Sequence, residues 1–185
     1  CIEYLQKSIP EICSNIINDD FLKINLKSFK APLLIVGNFP YNISNQILFK
    51  IYENRNIVQS MVGMFQYEVA ERICSKSGSK KYGILSVLTQ IYYKADFLFE
   101  VQPSVFKPPP KVKSAVIKLI RLENFKLDCD EKLLFKIVKL SFQQRRKTIR
   151  NSLKVMNIPK KLTEDAIFDL RPEMLLGVDF IKLTK

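Results

Sequence analysis

The first third of the chain combines short apolar runs with a segment of helical spacing. Residues 33–36 and 57–65 are apolar enough to predict two buried strands. Between them, residues 46–52 place their apolar side chains at helical intervals, which predicts a helix. A strand, a helix and a second strand in this order are typical of an α/β sheet.

Two further strands are predicted toward the middle of the chain. Residues 92–101 alternate apolar and polar side chains, with Phe97 and Phe99 predicted on one face, and residues 114–122 alternate in the same way. Residues 84–91 are mostly apolar, and their pattern is compatible with either a helix or a strand.

The start of the chain is less regular. Residues 1–12 have roughly helical apolar spacing and predict the tail of a helix, and residues 13–17 predict a short strand that ends near Asp20. An acidic residue at the carboxyl end of a strand can accept hydrogen bonds from a nucleotide, although Asn and Asp are also ordinary turn residues. Because residue 1 is not Met, we expect the start of the protein to be missing.

After residue 122 the pattern becomes helical. Asp128 or Asp130 can cap a helix that runs through Leu140, because short polar side chains satisfy free backbone N–H groups at a helix start. Two shorter helices are predicted at 162–170 and 173–182. The chain therefore changes from a mixed α/β pattern to a purely helical one.

Composition narrows the class of protein. Hydrophobic residues make up 47% of the 185, including 13 Phe, which is enough for a folded core. No apolar run is long enough to cross a membrane, and the first residues lack the core of a signal peptide. The 4 Cys are scattered and there is no His, which excludes the usual zinc sites and the Ser-His and Cys-His nucleophiles. We expect reduced thiols, no metal and a cytoplasmic location.

The positive charge of the chain is concentrated in one region. The net charge is +12, and residues 101–160 hold 15 Lys or Arg against 4 Asp or Glu, which leaves the remainder close to neutral. Within this region Arg145, Arg146, Lys147 and Arg150 lie within two turns of the predicted helix. Such a cluster can neutralise several phosphates without reading sequence. A solvated basic face is the alternative, but the uneven charge favours nucleic acid as the partner.

The turn after the first predicted strand carries candidate chemistry. It reads Gly37-Asn38-Phe39-Pro40-Tyr41 and lies at the carboxyl end of the strand, where open α/β sheets bind ligands. A side-chain amide, a proline carbonyl and an aromatic ring at this place can hold a flat, amine-bearing base. Because Asn, Gly and Pro are also common turn formers, the turn alone does not distinguish a binding site from a plain connection.

Five motifs together resemble, in order, those of the ribosomal RNA adenine dimethyltransferases. Asn38-Phe39-Pro40-Tyr41 is similar to the family's Asn-Leu-Pro-Tyr signature. The others, at 65–72, 82–87, 106–116 and 142–153, read Phe-Gln-Tyr-Glu-Val-Ala-Glu-Arg, Tyr-Gly-Ile-Leu-Ser-Val, Phe-Lys-Pro-Pro-Pro-Lys-Val-Lys-Ser-Ala-Val and Phe-Gln-Gln-Arg-Arg-Lys-Thr-Ile-Arg-Asn-Ser-Leu. The resemblance covers almost the whole chain.

The resemblance implies both a fold and an activity. The fold is α/β: a Rossmann-like S-adenosylmethionine-dependent methyltransferase domain at 1–122, with its N-terminal part missing, and a small C-terminal helical domain at 123–185 that docks rRNA. The activity is dimethylation of N6 on two adjacent adenosines near the 3′ end of small-subunit rRNA. The implied partners are this rRNA and the pre-assembled small ribosomal subunit, and we expect the protein to act in ribosome assembly as a monomer.

The resemblance also implies roles for individual residues. Asn38, Pro40 and Tyr41 form the catalytic turn, Asp20 and Asn38 border the cofactor, and Tyr41 and Phe106 stack on the target base. The implied RNA-binding residues are Lys111, Arg145, Arg146, Lys147 and Arg150.

One departure from the family concerns the cofactor. The family's glycine-rich loop and the acid that binds the ribose precede the position of Cys1, and this chain has 5 Gly and no Gly-x-Gly pattern. We therefore expect a polypeptide of these 185 residues to expose an apolar sheet edge, to bind the cofactor poorly and to be nearly inactive. A non-catalytic rRNA-binding assembly factor is the alternative function. Large-subunit relatives that confer macrolide resistance and DNA adenine methyltransferases fit the motifs at 106–112 and 142–147 less well.

Overall fold

The computed structural model contains one four-stranded sheet and a layer of helices. It describes residues 2–123 and 127–185. The strands are β1 (Leu33–Asn38), β2 (Val58–Gln66), β3 (Tyr93–Val101) and β4 (Ser114–Arg121). The helices are α1 (Ile2–Ser8), α2 (Ser44–Glu53), α3 (Tyr67–Cys74), α4 (Ile84–Tyr92), α5 (Glu131–Gln143), α6 (Ile149–Ser152) and α7 (Gly177–Lys182). Cys1 and residues 124–126, where the predicted change to a helical pattern falls, lie outside the described residues.

The sheet has the strand order β1-β2-β4-β3, with β1 parallel to β2 and β4 antiparallel to both of its neighbours. The four strands and α2 are confirmed where the sequence predicts them. The ambiguous segment at 84–91 forms α4. Most of its residues are buried, on every side of the helix, which is why its apolar pattern lacks a clear helical period.

The strand predicted at residues 13–17 is wrong. Residues Pro10–Asn15 form a 3-10 helix instead. Proline fits the first turn of a helix, where its missing N–H group is not needed. Among the described residues no strand lies beside this segment, so an extended backbone there would lack a pairing partner.

The helices predicted near the C-terminus are shorter and more broken than expected. Residues 162–170 contribute to two 3-10 turns, at Lys160–Thr163 and Ala166–Asp169, because the side chain of Asp165 accepts from the Ile167 N–H and starts a new turn. Within 173–182 only α7 is an α-helix. By contrast, the predicted cap of α5 is confirmed. Of the two candidates it is Asp130 that caps the helix, and its side chain accepts from two backbone N–H groups.

The prediction that Phe97 and Phe99 share a face of the sheet is also wrong. A bulge between them makes Phe97 pair with Ile117 and Phe99 pair with Val116, which are adjacent residues of β4. Adjacent strand residues point to opposite faces, so the extra residue on β3 moves the two rings to opposite sides.

The two faces of the sheet differ in burial. On one face Met61 of β2 pairs with Leu119 of β4, and both side chains are fully buried. On the other face Leu34 and Val36 of β1 are 69% and 80% exposed. Because β1 is also the outermost strand of the described sheet, the predicted apolar edge is confirmed. We refer to the side of β1 that carries Leu34 and Val36 as the open face.

The C-terminal helices extend the core of the buried face. The ring of Phe135 in α5 lies 6.1 Å from that of Phe49 in α2, and Phe142 lies 6.2 Å from Tyr82. Buried apolar residues before and after residue 122 form one cluster. At 122–123 the chain therefore changes from strands and helices to helices alone, while the core continues across this point. The division into two separate domains stays a prediction.

Four tyrosines lie fully buried in this core. Tyr52, Tyr92 and Tyr93 meet where α2, α4 and β3 join, with ring centroids 6.0 and 6.3 Å from that of Tyr52. The hydroxyls of Tyr52 and Thr89 lie 2.5 Å apart. Burial raises the pKa of these three phenols above the usual range, and it raises the pKa of Tyr82 to about 12.

These pKa shifts predict that the fold loses stability in alkali. The unfolded chain releases its tyrosine protons near pH 10, whereas the folded chain retains them, so the free energy of unfolding falls as the pH rises above about 10. With four such groups the slope reaches about 5 kcal/mol per pH unit. Phenolate absorbance and circular dichroism should therefore change together in a pH titration. Ionisation of all four tyrosines near pH 10 with the fold intact would contradict the prediction.

Candidate active site

The turn that follows β1 is held by its own hydrogen bonds. After Asn38 the chain forms one 3-10 turn, in which the Pro40 carbonyl accepts from the Ile43 N–H at 3.2 Å. The Ser44 hydroxyl donates to the Tyr41 carbonyl at 3.0 Å, at the start of α2. A carbonyl oxygen has two lone pairs, so that of Pro40 can accept a second hydrogen bond. The Asn38 side chain is exposed and has no hydrogen-bond partner among residues 2–123 and 127–185.

Phe39 fixes this turn against the sheet. Its ring lies over Gly37 and Gly63, which are paired neighbours on β1 and β2. A Cβ atom added to Gly37 or Gly63 would lie 2.7 or 2.6 Å from the ring, closer than real Cβ contacts. The ring also packs against Phe65 and Phe21, with centroids 5.5 and 6.2 Å away. The two glycines thus form a trough for Phe39, which the sequence analysis missed because the pairing of distant residues is not visible in a linear pattern.

A cavity of about 340 Å³ opens beside the turn. Its lining consists of Asn38, Phe39, Pro40, Tyr41, Phe106, Pro108 and Pro110. The turn after β1 and the proline-rich loop therefore meet at one place, although Pro40 and Phe106 are 66 residues apart in the sequence. An amide and a carbonyl beside aromatic and proline rings can receive a planar, amine-bearing base.

Tyr41 is anchored to the far side of the site. Its hydroxyl forms a short hydrogen bond with the hydroxyl of Ser114, the first residue of β4, which is fully buried. Ser114 lies inside the motif at 106–116 but was not predicted as a site residue, since a single Ser in a strand pattern carries no signal of its own. Because the hydroxyl is held, the Tyr41 ring has a fixed position at the edge of the cavity.

Asp20 does not line this cavity. One of its carboxylate oxygens accepts from the Leu22 N–H at 2.9 Å, the other lies 4.0 Å from the Lys23 ammonium, and the side chain is 46% exposed. The neighbouring ring of Phe21 packs against that of Phe39 in the turn after β1, with centroids 6.2 Å apart. Asp20 has an accessible carboxylate oxygen, and its role with the cofactor stays a prediction.

The four basic residues at 145–150 do not share one continuous helix. The sequence predicts that they lie on a single helix, but α5 ends at Gln143 and α6 begins at Ile149, with a turn between them. Arg145 donates to the Ser79 carbonyl at 3.0 Å and lies 3.8 Å from the Glu173 carboxylate. Arg150 forms an ion pair with Asp169 at 2.9 Å. These two guanidinium groups hold the C-terminal segment together.

The remaining predicted RNA-binding residues are free on the surface. Arg146, Lys147 and Lys111 are exposed, and none of their side chains has a hydrogen-bond or ion-pair partner within the part of the chain that the structure describes. They are therefore available to a polyanion. Arg145 and Arg150 already have partners within the fold, and their contact with RNA stays a prediction.

Other kinds of chemistry find little support in the described residues. Burial raises the pKa of the Cys74 thiol to about 11, which keeps it protonated and unreactive at neutral pH. In residues 2–123 and 127–185 no group of three His, Cys, Asp or Glu side chains could hold a metal ion. Likewise no helix of the described chain is both long and apolar enough to span a membrane.

Comparison of the sequence with known proteins identifies a family. The model of the family "Ribosomal RNA adenine dimethylase" matches residues 2–177. The chain is 54% identical to the ribosomal RNA small subunit methyltransferase A of Flavobacterium johnsoniae over 186 aligned positions, which cover 100% of the chain and 71% of that protein. The protein of the same name from Bacteroides thetaiotaomicron is 52% identical, with 99% of the chain and 70% of the relative covered.

Comparison with solved structures supports the same fold. A dimethyladenosine transferase from Plasmodium falciparum superposes with a TM-score of 0.83 at 24% identity, covering 98% of this chain and 77% of that one. The 23S rRNA methyltransferase ErmE gives a TM-score of 0.68 at 23% identity, with 98% and 78% covered. The α/β fold is thus that of the Rossmann-like methyltransferases. By sequence, the chain belongs to the ribosomal RNA adenine dimethylase family.

Proposed function

We propose that this protein transfers methyl groups from S-adenosylmethionine to N6 of two adjacent adenosines near the 3′ end of small-subunit rRNA, and so acts in ribosome assembly. The observation that carries the proposal is the cavity in which Asn38, Pro40, Tyr41 and Phe106 meet. The names of the relatives, which are small-subunit methyltransferases, support the choice of rRNA over other adenine-containing substrates.

Asn38 and Pro40, which would hold the target adenine, can compensate for the weak nucleophilicity of its amine. The N6 lone pair is delocalised into the ring, so the nitrogen reacts only when that delocalisation is reduced. In the proposed mechanism the two N–H groups of N6 donate to the Asn38 side-chain oxygen and to the free lone pair of the Pro40 carbonyl. Two acceptors in these positions favour a pyramidal nitrogen and direct its lone pair to one side. Most of the rate enhancement then comes from positioning, and no histidine base is needed.

The aromatic residues explain how the base is held outside its helix. An adenine in a base-paired or stacked strand has to be extruded before N6 becomes accessible. Tyr41 and Phe106 lie at the cavity and can stack on the extruded ring, each contact contributing about 1–3 kcal/mol. The hydrogen bond to Ser114 keeps Tyr41 in place, and Pro108 and Pro110 restrict the loop that carries Phe106.

The residues present fit one end of the cofactor. S-adenosylmethionine, when bound, supplies an electrophilic methyl group on a sulfonium ion. In the proposed arrangement the accessible carboxylate oxygen of Asp20 accepts from the amine of the cofactor's adenine, and Asn38 also borders the cofactor. The 185 residues contain no Gly-x-Gly loop. We therefore expect this polypeptide alone to bind the cofactor weakly and to be nearly inactive.

The remaining features concern partners and location. Exposed Arg146, Lys147 and Lys111 are proposed to contact phosphates of the rRNA within the small subunit. We propose that the protein acts as a monomer in the cytoplasm. The alternative function is a non-catalytic rRNA-binding assembly factor. The exposed, unpartnered amide of Asn38 beside an aromatic cavity favours an enzyme, because a protein that only binds rRNA needs no acceptor there.

The test measures the product of the reaction. Small ribosomal subunits with unmethylated rRNA are incubated with S-adenosylmethionine and a version of the chain extended at its amino end by the family's glycine-rich segment. We expect mass spectrometry of the digested rRNA to show N6,N6-dimethyladenosine, and the 185 residues alone to give close to background. Monomethyladenosine as the final product would limit the activity to single methylation. Tight binding of subunits by the extended version without any methylation would favour the assembly factor.

A further inference from the structure

Three lysines form a row along the outer side of α5. Lys132, Lys136 and Lys139 are spaced by four and three residues, which places them on one face of an α-helix. All three are exposed, and within the described residues none of their ammonium groups has a carboxylate partner. We call Lys132, Lys136 and Lys139 the α5 lysine row.

The opposite side of α5 holds the row rigidly in place. Leu134, Ile137 and Val138 are buried in the core, and the ring of Phe135 contacts that of Phe49 on α2. The first turn is fixed by the Asp130 cap. The helix therefore presents its lysines from a fixed backbone, and a polyanion that binds them does not have to order the backbone first.

Acidic residues near the row are already engaged. Glu131 forms an ion pair with Arg55, the Asp130 carboxylate caps the helix, and Asp128 lies 3.4 Å from the Lys185 ammonium. None of these three carboxylates forms an ion pair with a lysine of the row. Arg146 and Lys147 follow the C-terminal end of the helix in the sequence, and both are exposed.

From this arrangement we infer that the α5 lysine row is a docking surface for the phosphate backbone of the rRNA. The inference rests on the proposed function, which supplies the polyanion and already includes Arg146 and Lys147, and it adds three lysines that no motif indicates. Arg145 and Arg150, by contrast, act within the fold through Glu173 and Asp169. Lysines recognise phosphate as point charges, so the surface contributes affinity and orientation without base specificity.

The test uses the salt dependence of binding by the 185-residue chain itself. Each lysine that neutralises one phosphate contributes about 0.7–0.9 to the slope of log K against log salt, so replacing three lysines by Gln reduces the slope by about 2–3. The variant is Lys132→Gln, Lys136→Gln and Lys139→Gln combined. The matched control removes the same charge from three exposed lysines elsewhere, as Lys7→Gln, Lys27→Gln and Lys30→Gln. Binding is measured to protein-free small-subunit rRNA and to small subunits.

The possible outcomes test the docking role of the α5 lysine row separately from the proposed methyltransferase activity. Three results together support the inference. The slope falls by about 2–3 in the row variant, it changes little in the control, and it stays normal when the three lysines are replaced by Arg. Equal reductions in both triple variants mean diffuse attraction and overturn it. A reduction with small subunits but not with protein-free rRNA indicates a ribosomal protein as the partner and also overturns it. If the row variant binds normally while Asn38→Ala in the extended version loses methylation, the surface is wrong and the proposed function stands.

Discussion

Replacement of Asn38 by alanine is expected to lower kcat for rRNA methylation by about 100- to 1,000-fold in the extended, cofactor-competent version, with binding of small subunits nearly unchanged. This is the range observed when one preorganised hydrogen-bonding group is removed from an active site. The side-chain oxygen of Asn38 is proposed to hold N6 of the target in its reactive geometry, whereas RNA affinity comes from distant basic residues. The effect should therefore appear in turnover and not in affinity.

The matched control is Asn42→Ala. Asn42 belongs to the same turn and is exposed, but it does not line the cavity. We expect this variant to methylate at a rate close to that of the unchanged protein, as measured by transfer of labelled methyl groups to small subunits. A parallel loss of subunit binding in Asn38→Ala, or equal loss of activity in the two variants, would count against a catalytic role for Asn38.

A methyl group added at Gly37 should displace the turn that carries Asn38. The three atoms nearest to the Cβ of Gly37→Ala all belong to the ring of Phe39, the closest at 2.7 Å, so the ring has to leave its trough. We expect a loss of about 1–3 kcal/mol in the free energy of unfolding, as for other overpacked sites. A displacement of about 1 Å at the reacting groups also predicts a loss of about 100-fold in kcat. Chemical denaturation and the methylation assay measure the two effects.

A second substitution distinguishes this mechanism from general damage to β1. Phe39→Leu removes the ring atoms that the new methyl group would meet, and leucine is the residue of the family signature at this position. The double variant Gly37→Ala with Phe39→Leu should therefore recover most of the lost stability and activity. Gly83→Ala serves as the control, because its Cβ would meet no atom closer than 4.0 Å. If the double variant is as impaired as Gly37→Ala alone, the contact with Phe39 is not the cause.

The sequence predicted the elements better than it predicted their contacts. The four strands and α2 followed from apolar patterns. In β2 and β4 these patterns mark a buried face, whereas in β1 and β3 apolar side chains occur although much of the strand is exposed. The prediction at 13–17 failed because a segment of five residues becomes a strand only when another strand pairs with it. The bulge that separates Phe97 from Phe99 depends on the pairing with β4, which a single-strand pattern cannot contain.

The candidate site shows the same limit. The family motifs named Asn38, Pro40, Tyr41 and Phe106, and the structure brings these residues to one cavity. The trough under Phe39 and the anchor at Ser114 join residues that are 24 and 73 positions apart, and no local pattern signals them. The basic cluster was read from composition, which does not reveal that two of its arginines are used for internal ion pairs.

The open face of β1 has a consequence for how these residues behave in solution. Leu34 and Val36 lie on an outermost strand whose free backbone groups can pair with another chain, and exposed apolar edges of this kind promote aggregation. The packed core on the opposite side of the sheet includes neither residue. Lysine at positions 34 and 36 should therefore improve the solubility of the 185-residue polypeptide at little cost in folding.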